Sequence, residues 1–311
     1  MSGVGRLGHR VLVTGSAGLI GKALVEELRS QGMQVDCLDI RAEGQAKGDV
    51  CDPGCVQRAM AGVDGVVHLA AVSRVVWGEQ DPESCWATNV EGTKHVAEVV
   101  ARSPRAPWLL FASSREVYGQ PAALPVSEDA PLRPMNVYGR SKVEGERVVA
   151  EACRRGVRAC IVRLSNVYGS PDDHATRVIP AFIRAALAGD ELRVEGAEHT
   201  FDFTHVDDVK KALARLVELL RGVAPVPPPI HLVSGRPVTL GWLAELAVSM
   251  GRHGARVNVV PPRDFDVSCF HGDPARAKAT LGWQPRISLE EGVAQLFAAF
   301  KERQQGHGPV S

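Results

Sequence analysis

Three glycines at three-residue spacing, Gly15, Gly18 and Gly21, and a tyrosine and lysine four positions apart, Tyr138 and Lys142, are the residues whose types and spacing could do chemistry. The glycines read as a phosphate cradle. Gly15 permits a tight turn, Gly18 removes the side chain that would bar an anion from the backbone, and Gly21 lets a following helix pack closely. The second pair reads as a proton-transfer device. At i, i+4 in a helix the phenol and ammonium share one face, and the ammonium favours phenolate, so the tyrosine can act as acid or base near neutral pH.

Both groups need elements to hold them. An apolar strand over 10–15 breaks into the glycine turn and is followed by a helix over 18–31, so a nucleotide pyrophosphate would sit at the helix N-terminus. A second strand, 34–39, ends in Asp39, about 20 residues beyond the glycines, where a carboxylate accepts from the adenosine ribose hydroxyls and repels a 2′-phosphate. NAD is therefore favoured over NADP, with Arg41 the one neighbour that would partly accommodate a phosphate. Further strands are expected at 65–69, 108–113 and 159–164, and helices at 54–61, 82–103 and 137–155, the third broken near its start. This alternation predicts an α/β fold, a Rossmann-type doubly wound parallel sheet, over residues 1–168.

Beyond Tyr168 the pieces shorten: helix 178–188, strand 191–194, helix 207–221, a Pro-rich loop at 225–229, and helices at 239–251 and 288–303. Residues 169–311 are expected to form mainly a smaller substrate-binding lobe, interleaved with the first domain because 230–234 reads as a strand returning to the main sheet. The first few and last eight residues are expected to fray. The 36 basic and 36 acidic residues cancel, which argues against nucleic acid or an anionic membrane surface as partner. No apolar run reaches the roughly 20 residues of a membrane span, and residues 1–9 lack a signal-peptide core, so the expectation is cytoplasmic. The seven cysteines lack zinc-ligand pairing and read as reduced, mostly buried small residues, with no metal site.

The motifs together resemble the extended short-chain dehydrogenase/reductases, in their nucleotide-sugar epimerase/dehydratase branch, nearly end to end. The matching stretches are Val13-Thr-Gly-Ser-Ala-Gly-Leu-Ile-Gly21, Gly48-Asp-Val50, Val67-His-Leu-Ala-Ala71, Asn89-Val-Glu-Gly-Thr93, Ser113-Ser-Arg-Glu-Val-Tyr-Gly119, Tyr138 with Lys142, Arg163-Leu-Ser-Asn-Val-Tyr-Gly169, Asp202-Phe-Thr-His-Val-Asp-Asp208 and Leu281-Gly-Trp-Gln-Pro285. The resemblance implies an NAD shell of Gly15, Gly18, Leu19, Ile20, Gly21, Asp39, Ile40, Arg41, Asp49, Val50, Leu69, Ala70, Ala71, Asn89, Tyr138 and Lys142. It implies Ser114 as the hydroxyl that orients substrate, Tyr138 as acid/base, and Lys142 as ribose anchor and electrostatic partner. Asn166 and Arg263 fall where the family contacts the substrate diphosphate. Family dimers pair the helices at 82–103 and 137–155, so a homodimer is expected; Val96, Val99, Val100, Val143 and Val148 serve either that face or the core.

The implied reaction begins with transient oxidation of a sugar carbinol, after which the ketone can be reduced on its other face, lose water, or lose a carboxylate. Glu116 stands where the family's dehydratases and uronate decarboxylases resemble this chain in placing a base. The residue before it is Arg115 and not the aspartic acid that dehydratases use to protonate the leaving hydroxyl, and arginine yields no proton at useful pH. The leading expectation is a nucleotide-sugar epimerase inverting C4 through a 4-keto intermediate. The alternatives are a lyase using Glu116 as base, and a net NAD-dependent sugar dehydrogenase on a substrate lacking a nucleotide. Arg115 either pairs with a substrate carboxylate or points to solvent, and Ser73, Arg74 and Trp77 either line the sugar pocket or form a surface loop. A second departure is Phe201, where the family usually carries a diphosphate-binding arginine; it either stacks on a base or fills the lobe core. Arg177, Arg193 and His199 are candidate substitutes. His68 and His205 read as core or supporting histidines.

Overall fold

The computed structural model describes residues 9–306. The expected fraying of the first few residues and of 307–311 lies outside the described residues, whereas 304–306 continue the last helix. Along the chain run β1 (Arg10–Thr14), α1 (Leu19–Ser30), β2 (Gln34–Leu38), α2 (Pro53–Ala59), β3 (Gly65–His68), α3 (Val75–Gln80), α4 (Pro82–Trp86), one π-helical turn (Ala87–Glu91), α5 (Gly92–Arg102), β4 (Trp108–Ser114), α6 (Val137–Arg154) and β5 (Ala159–Leu164). There follow β6 (Asn166–Tyr168), α7 (Val178–Ala188), β7 (Glu191–Glu195), β8 (Thr200–His205), α8 (Val206–Arg221), β9 (Ile230–Leu232), β10 (Pro237–Thr239), α9 (Leu240–Met250), β11 (Arg256–Val260), α10 (Ala275–Leu281) and α11 (Leu289–Gly306). Two compact units emerge. The first comprises residues up to Val117, Val137–Arg163 and Lys210–Ile230; the second comprises Tyr118–Asn136, Leu164–Val209 and the chain from His231.

In the first unit, β1 pairs in parallel with β2 on one side and β3 on the other, and β3 pairs in parallel with β4. The full order is β2-β1-β3-β4-β5-β9, the returning strand near 230 being the sixth. These strands carry continuous apolar runs because both faces are covered by helices: Val11, Leu12 and Val13 are wholly buried, and every residue of β4 is buried. The chain leaves β1 toward β2 and comes back on the opposite side as β3. Strand order thus reverses at β1, and ligands of open parallel sheets bind at the carboxyl ends of strands at such a point. Leu12, Leu38, Val66, Leu109 and Phe111 pack with Val96 and Val100 of α5 and Val149 of α6 in one core. Two of the valines that had either role, Val96 and Val100, therefore belong to the core. The expected break in the helix at 82–103 takes the form of the π turn, which buries Asn89 and Val90.

The second unit is built from a three-stranded sheet, β10-β8-β6, and a parallel pair, β11-β7. Its core gathers Phe182, Ile183, Leu192, Phe203, Leu243 and Phe297, together with Phe201. Phe201 is 8% exposed, so of its two expected roles it takes the packing one. The short elements α3, β6, β10 and α10 have three to seven residues each and give too few periods for sequence patterning to register. β8 escapes for another reason: five of its six residues are buried, which erases the alternation. All seven cysteines are free, but only Cys85 and Cys160 are fully buried, fewer than expected. Among the described residues, no helix is long and apolar enough to cross a membrane.

Candidate active site

The turn between β1 and α1 shows three different uses of glycine. Gly15 adopts φ +69°, and a Cβ there would lie 2.7 Å from the Ala70 amide nitrogen. At Gly21 a Cβ would meet the Gly15 carbonyl at 2.1 Å, so helix and turn touch backbone to backbone. Gly18 is the N-cap of α1 and has no side-chain cap. A Cβ at Gly18 would have only the Gly15 oxygen at 3.2 Å and Arg41 Nη2 at 3.6 Å near it. Space is therefore left open beside the helix N-terminus, where amides and helix dipole favour an anion. Asp39, at the end of β2, is buried; its Oδ2 accepts from the Ala17 amide at 2.9 Å and its Oδ1 from the Arg41 amide at 2.8 Å. The carboxylate thus braces the turn, and Arg41 Nε approaches it at 3.6 Å. This cradle fits a dinucleotide pyrophosphate.

A buried chain of hydrogen bonds fixes the neighbouring strand ends. Thr14 Oγ1 accepts from the Ala70 amide at 3.2 Å and lies 2.7 Å from His68 Nδ1; His68 Nε2 lies 3.0 Å from Thr93 Oγ1, which donates to the Asn89 carbonyl at 2.7 Å. Thr93 spends its proton on Asn89, so His68 Nε2 must donate and Nδ1 must accept from Thr14. The proton order runs one way only, and it requires a neutral imidazole. Burial and the Lys142 charge agree, pushing His68 down to about 3. His68 is a supporting histidine, as one expectation had it. Asn89 accepts from the Val72 amide at 2.8 Å and donates to the Val72 carbonyl at 3.0 Å and to Ser141 Oγ at 2.9 Å. Its amide ties the loop after β3 to α6, and the π turn is what aims it there.

At the end of β4, Ser114 Oγ accepts from the Glu116 amide at 3.2 Å. Arg115 Nη2 lies 2.8 Å from Glu116 Oε1, with the two side chains only 11% and 6% exposed. Arg115 is therefore not turned into solvent. On α6, Tyr138 and Lys142 are both buried, and Lys142 Nζ donates to the Ala112 carbonyl at 2.9 Å while standing 5.1 Å from the Phe111 ring and 6.0 Å from the Tyr138 ring. Burial disfavours the ammonium and brings Lys142 down to about 8, against the opposing pull of Cys85 and Glu146. Glu79 of α3 caps α6 by accepting from the Val137 amide at 2.7 Å, directly before Tyr138. Nothing in the sequence marks Glu79, Thr14 or Thr93 for these tasks, since Val137 lies 58 positions from Glu79 and His68 lies 54 and 25 positions from the two threonines.

The other expected residues divide by environment. Leu69, Ala70 and Ala71 follow β3 half-buried beside the glycine turn, and Leu19 and Ile20 open α1. Ile40 is exposed, Asp49 Oδ1 accepts from the Cys51 amide, and Val50 packs under α5. Ser73 and Arg74 are half-buried, with the Arg74 guanidinium 5.3 Å over the Trp77 ring. In the second unit, Asn166 begins β6 opposite Phe203. Arg263 pairs with Glu195 at 3.2 Å and Asp266 at 2.7 Å.

Residues 11–226 match the model of the NAD dependent epimerase/dehydratase family. A UDP-glucose 4-epimerase of Mycolicibacterium smegmatis is 31% identical over 326 residues, covering 95% of this chain and 100% of that protein. UDP-glucuronic acid decarboxylase 1 of Xenopus tropicalis is 28% identical, covering 94% of this chain and 72% of that one. The crystal structure of a UDP-glucose 4-epimerase with UDP-glucose from Thermotoga maritima superposes with a TM-score of 0.88 at 26% identity, covering 95% and 99% of the two chains.

Proposed function

The chain belongs to the NAD dependent epimerase/dehydratase family and is an NAD-dependent enzyme of the extended short-chain dehydrogenase/reductase type, and from that premise we propose that it inverts C4 of a nucleotide-activated sugar. Bound NAD, held by the glycine turn and Asp39, supplies a hydride acceptor that becomes the donor. The chain's own residues handle the proton. Ser114 orients the C4 hydroxyl, and Tyr138 takes its proton as the ketone forms and returns it once the other face has been reduced. Lys142 holds a positive charge beside the phenol and a donor for the cofactor ribose.

The observation that carries inversion over elimination is the buried Arg115–Glu116 pair at 2.8 Å. A lyase needs a carboxylate free to take the C5 proton and, for dehydration, an acid beside it; here the neighbour is a cation that engages the carboxylate. The second reading, a dehydratase or uronate decarboxylase, is favoured by the burial of Glu116 and its amide contact with Ser114. Running UDP-glucose and UDP-glucuronate with the enzyme and NAD in deuterated water separates them. Inversion gives the C4 epimer with no deuterium at carbon; deuterium at C5, or release of carbon dioxide, would refute it. Tyr138→Phe should lower turnover at least about 100-fold.

The working form on this reading is a cytoplasmic homodimer. Supporting that, a cavity of about 550 Å³ lies along Pro82, Trp86, Ala87, Glu91, Val137 and Arg140, with Trp86 41% exposed. A second copy laid on α4 and α6 would cover this apolar surface, and the free cysteines suit a reducing compartment.

A further inference from the structure

One face of α6 presents Tyr138, Lys142, Gly145 and Glu146, at i, i+4, i+7 and i+8, to β4. The contact is close because residue 145 is glycine: a Cβ there would lie 2.7 Å from Phe111 Cζ. Two polar links, one helical turn apart, then join helix to strand. Lys142 Nζ donates to the Ala112 carbonyl at 2.9 Å, and Ser113 Oγ donates to Glu146 Oε1 at 2.5 Å. Ser113 immediately precedes Ser114. Glu146 is in turn gripped from β5, where Arg163 donates through Nε to Oε1 at 2.9 Å and through Nη2 to Oε2 at 2.7 Å. Both partners are buried, at 6% and 4% exposure. A buried ion pair of this kind contributes little to stability relative to an apolar pair of the same shape, because desolvation offsets the attraction. Its presence one turn from Lys142 therefore calls for a role other than stability.

We propose that Glu146, clamped by Arg163 and Ser113, is a positioning residue of the hydride-transfer site: it seats the Tyr138/Lys142 face of α6 on the strand that ends in Ser114, and it supplies the negative charge that Lys142 faces. Lys142 is surrounded by Tyr138 and Glu146 on its own helix, Cys85 on α4, His68 on β3, and the Phe111 ring and Ala112 carbonyl on β4. His68 is neutral and the Cys85 thiol is pushed up by burial, so Glu146, ion-paired with Arg163, is the carboxylate of that set that offsets the Lys142 charge.

The inference rests on the roles given to Tyr138 and Lys142, and its first readout, a titration, needs no substrate. In apoprotein carrying ¹³C-labelled lysine, with Lys142→Arg to assign the signal, Lys142 should titrate near pH 8, as burial brings it to about 8. Glu146→Gln should lower that midpoint by about one pH unit, since an opposite charge has gone and Arg163 is left behind. Glu146→Gln with Arg163→Met removes both charges and should recover more than half of the shift while turnover stays low. Ser113→Ala keeps the ion pair, so the midpoint should hold while kcat falls several-fold. A folded Glu146→Gln with an unmoved midpoint overturns the proposal. Should that variant not fold, Glu146→Asp keeps the charge but shortens the reach; it should hold the midpoint and lower kcat, and unchanged kcat would equally overturn it. If the enzyme proves not to invert C4, the titration arm still stands by itself.

Discussion

Gly18→Ala should separate cofactor binding from folding, which the other two glycines of the turn cannot do. The backbone at Gly18, φ −76° and ψ 170°, is one that alanine adopts without strain. The new methyl would meet the Gly15 oxygen at 3.2 Å, a contact that a shift of a few tenths of an ångström relieves. At the N-cap the exchange costs up to about 1 kcal/mol, a fall of about 2 °C in Tm for a chain of this size. The methyl would, however, occupy the open side of the cradle. Keeping a pyrophosphate from one or two charge-assisted amide contacts costs about 3 kcal/mol, or about 100-fold in Kd. Gly21→Ala differs: its methyl would sit 2.1 Å from the Gly15 oxygen and 2.8 Å from Ser16 Cα, so backbone must move and the fold itself should weaken. NAD titration by calorimetry, with thermal unfolding in parallel, reads both quantities. A Gly18→Ala protein that binds NAD as tightly as the parent would refute the placement of the pyrophosphate at this turn.

Two more perturbations follow from the buried network. His68 is held neutral down to about 3, whereas the unfolded chain protonates it near pH 6.5, so its contribution is complete above that pH and is lost as pH falls toward 3. The slope is about 1.4 kcal/mol per pH unit; between pH 7 and 5 the stability gap over His68→Gln in urea titrations should close by about 2 kcal/mol, and a constant gap would contradict the assignment. Asn89→Ala strands the Val72 amide and carbonyl, costing about 2–3 kcal/mol and lowering kcat more than it raises KM for the sugar nucleotide; unaltered stability would show that the loop does not depend on this brace.

What could be read from the sequence is what chemistry forces into short spacing. The glycine turn and the Tyr138/Lys142 pair each need neighbours within one turn, and Asp39 lies at a fixed strand-turn-helix-strand distance from the glycines, so these residues and their local elements could be read together. The Thr14–His68–Thr93 relay and the Glu79 cap are equally local in space, but they link residues 25 to 58 positions apart, and a threonine or glutamate carries no mark of which remote partner it will meet. Glu146 lies between these cases. Its i+4 spacing from Lys142 put it on the face of α6 that carries Tyr138 and Lys142, yet its Ser113 and Arg163 partners come from two strands. Arg115 shows the reverse difficulty: its partner is the adjacent residue, and only burial on both side chains excludes the solvent-facing alternative.

Phe201 sharpens the question of the substrate's phosphates. Its ring is committed to the core of the second unit, so a cation at that position would be buried unpaired, and the clamp the family resemblance implied there is closed to this chain. Of the candidate replacements, Arg177 is engaged with Asp173 at 3.2 Å and Arg193 with Glu195 at 3.2 Å, and Arg263 at its family position pairs with Glu195 and Asp266. The Arg193 and Arg263 pairs are exposed and contribute at most about 1 kcal/mol, so a diphosphate can take over either guanidinium at small cost, whereas Arg177 is held by the buried Asp173 carboxylate. The exchange gains less than binding to an unpaired cation would, because a carboxylate is released as the phosphate is gained. On the proposed reading, affinity for the sugar nucleotide therefore leans on the base and sugar contacts more than on its charge. That dependence has a signature in ionic strength, since trading one exposed ion pair for another leaves KM nearly flat where a cluster of unpaired cations would make it climb steeply with salt.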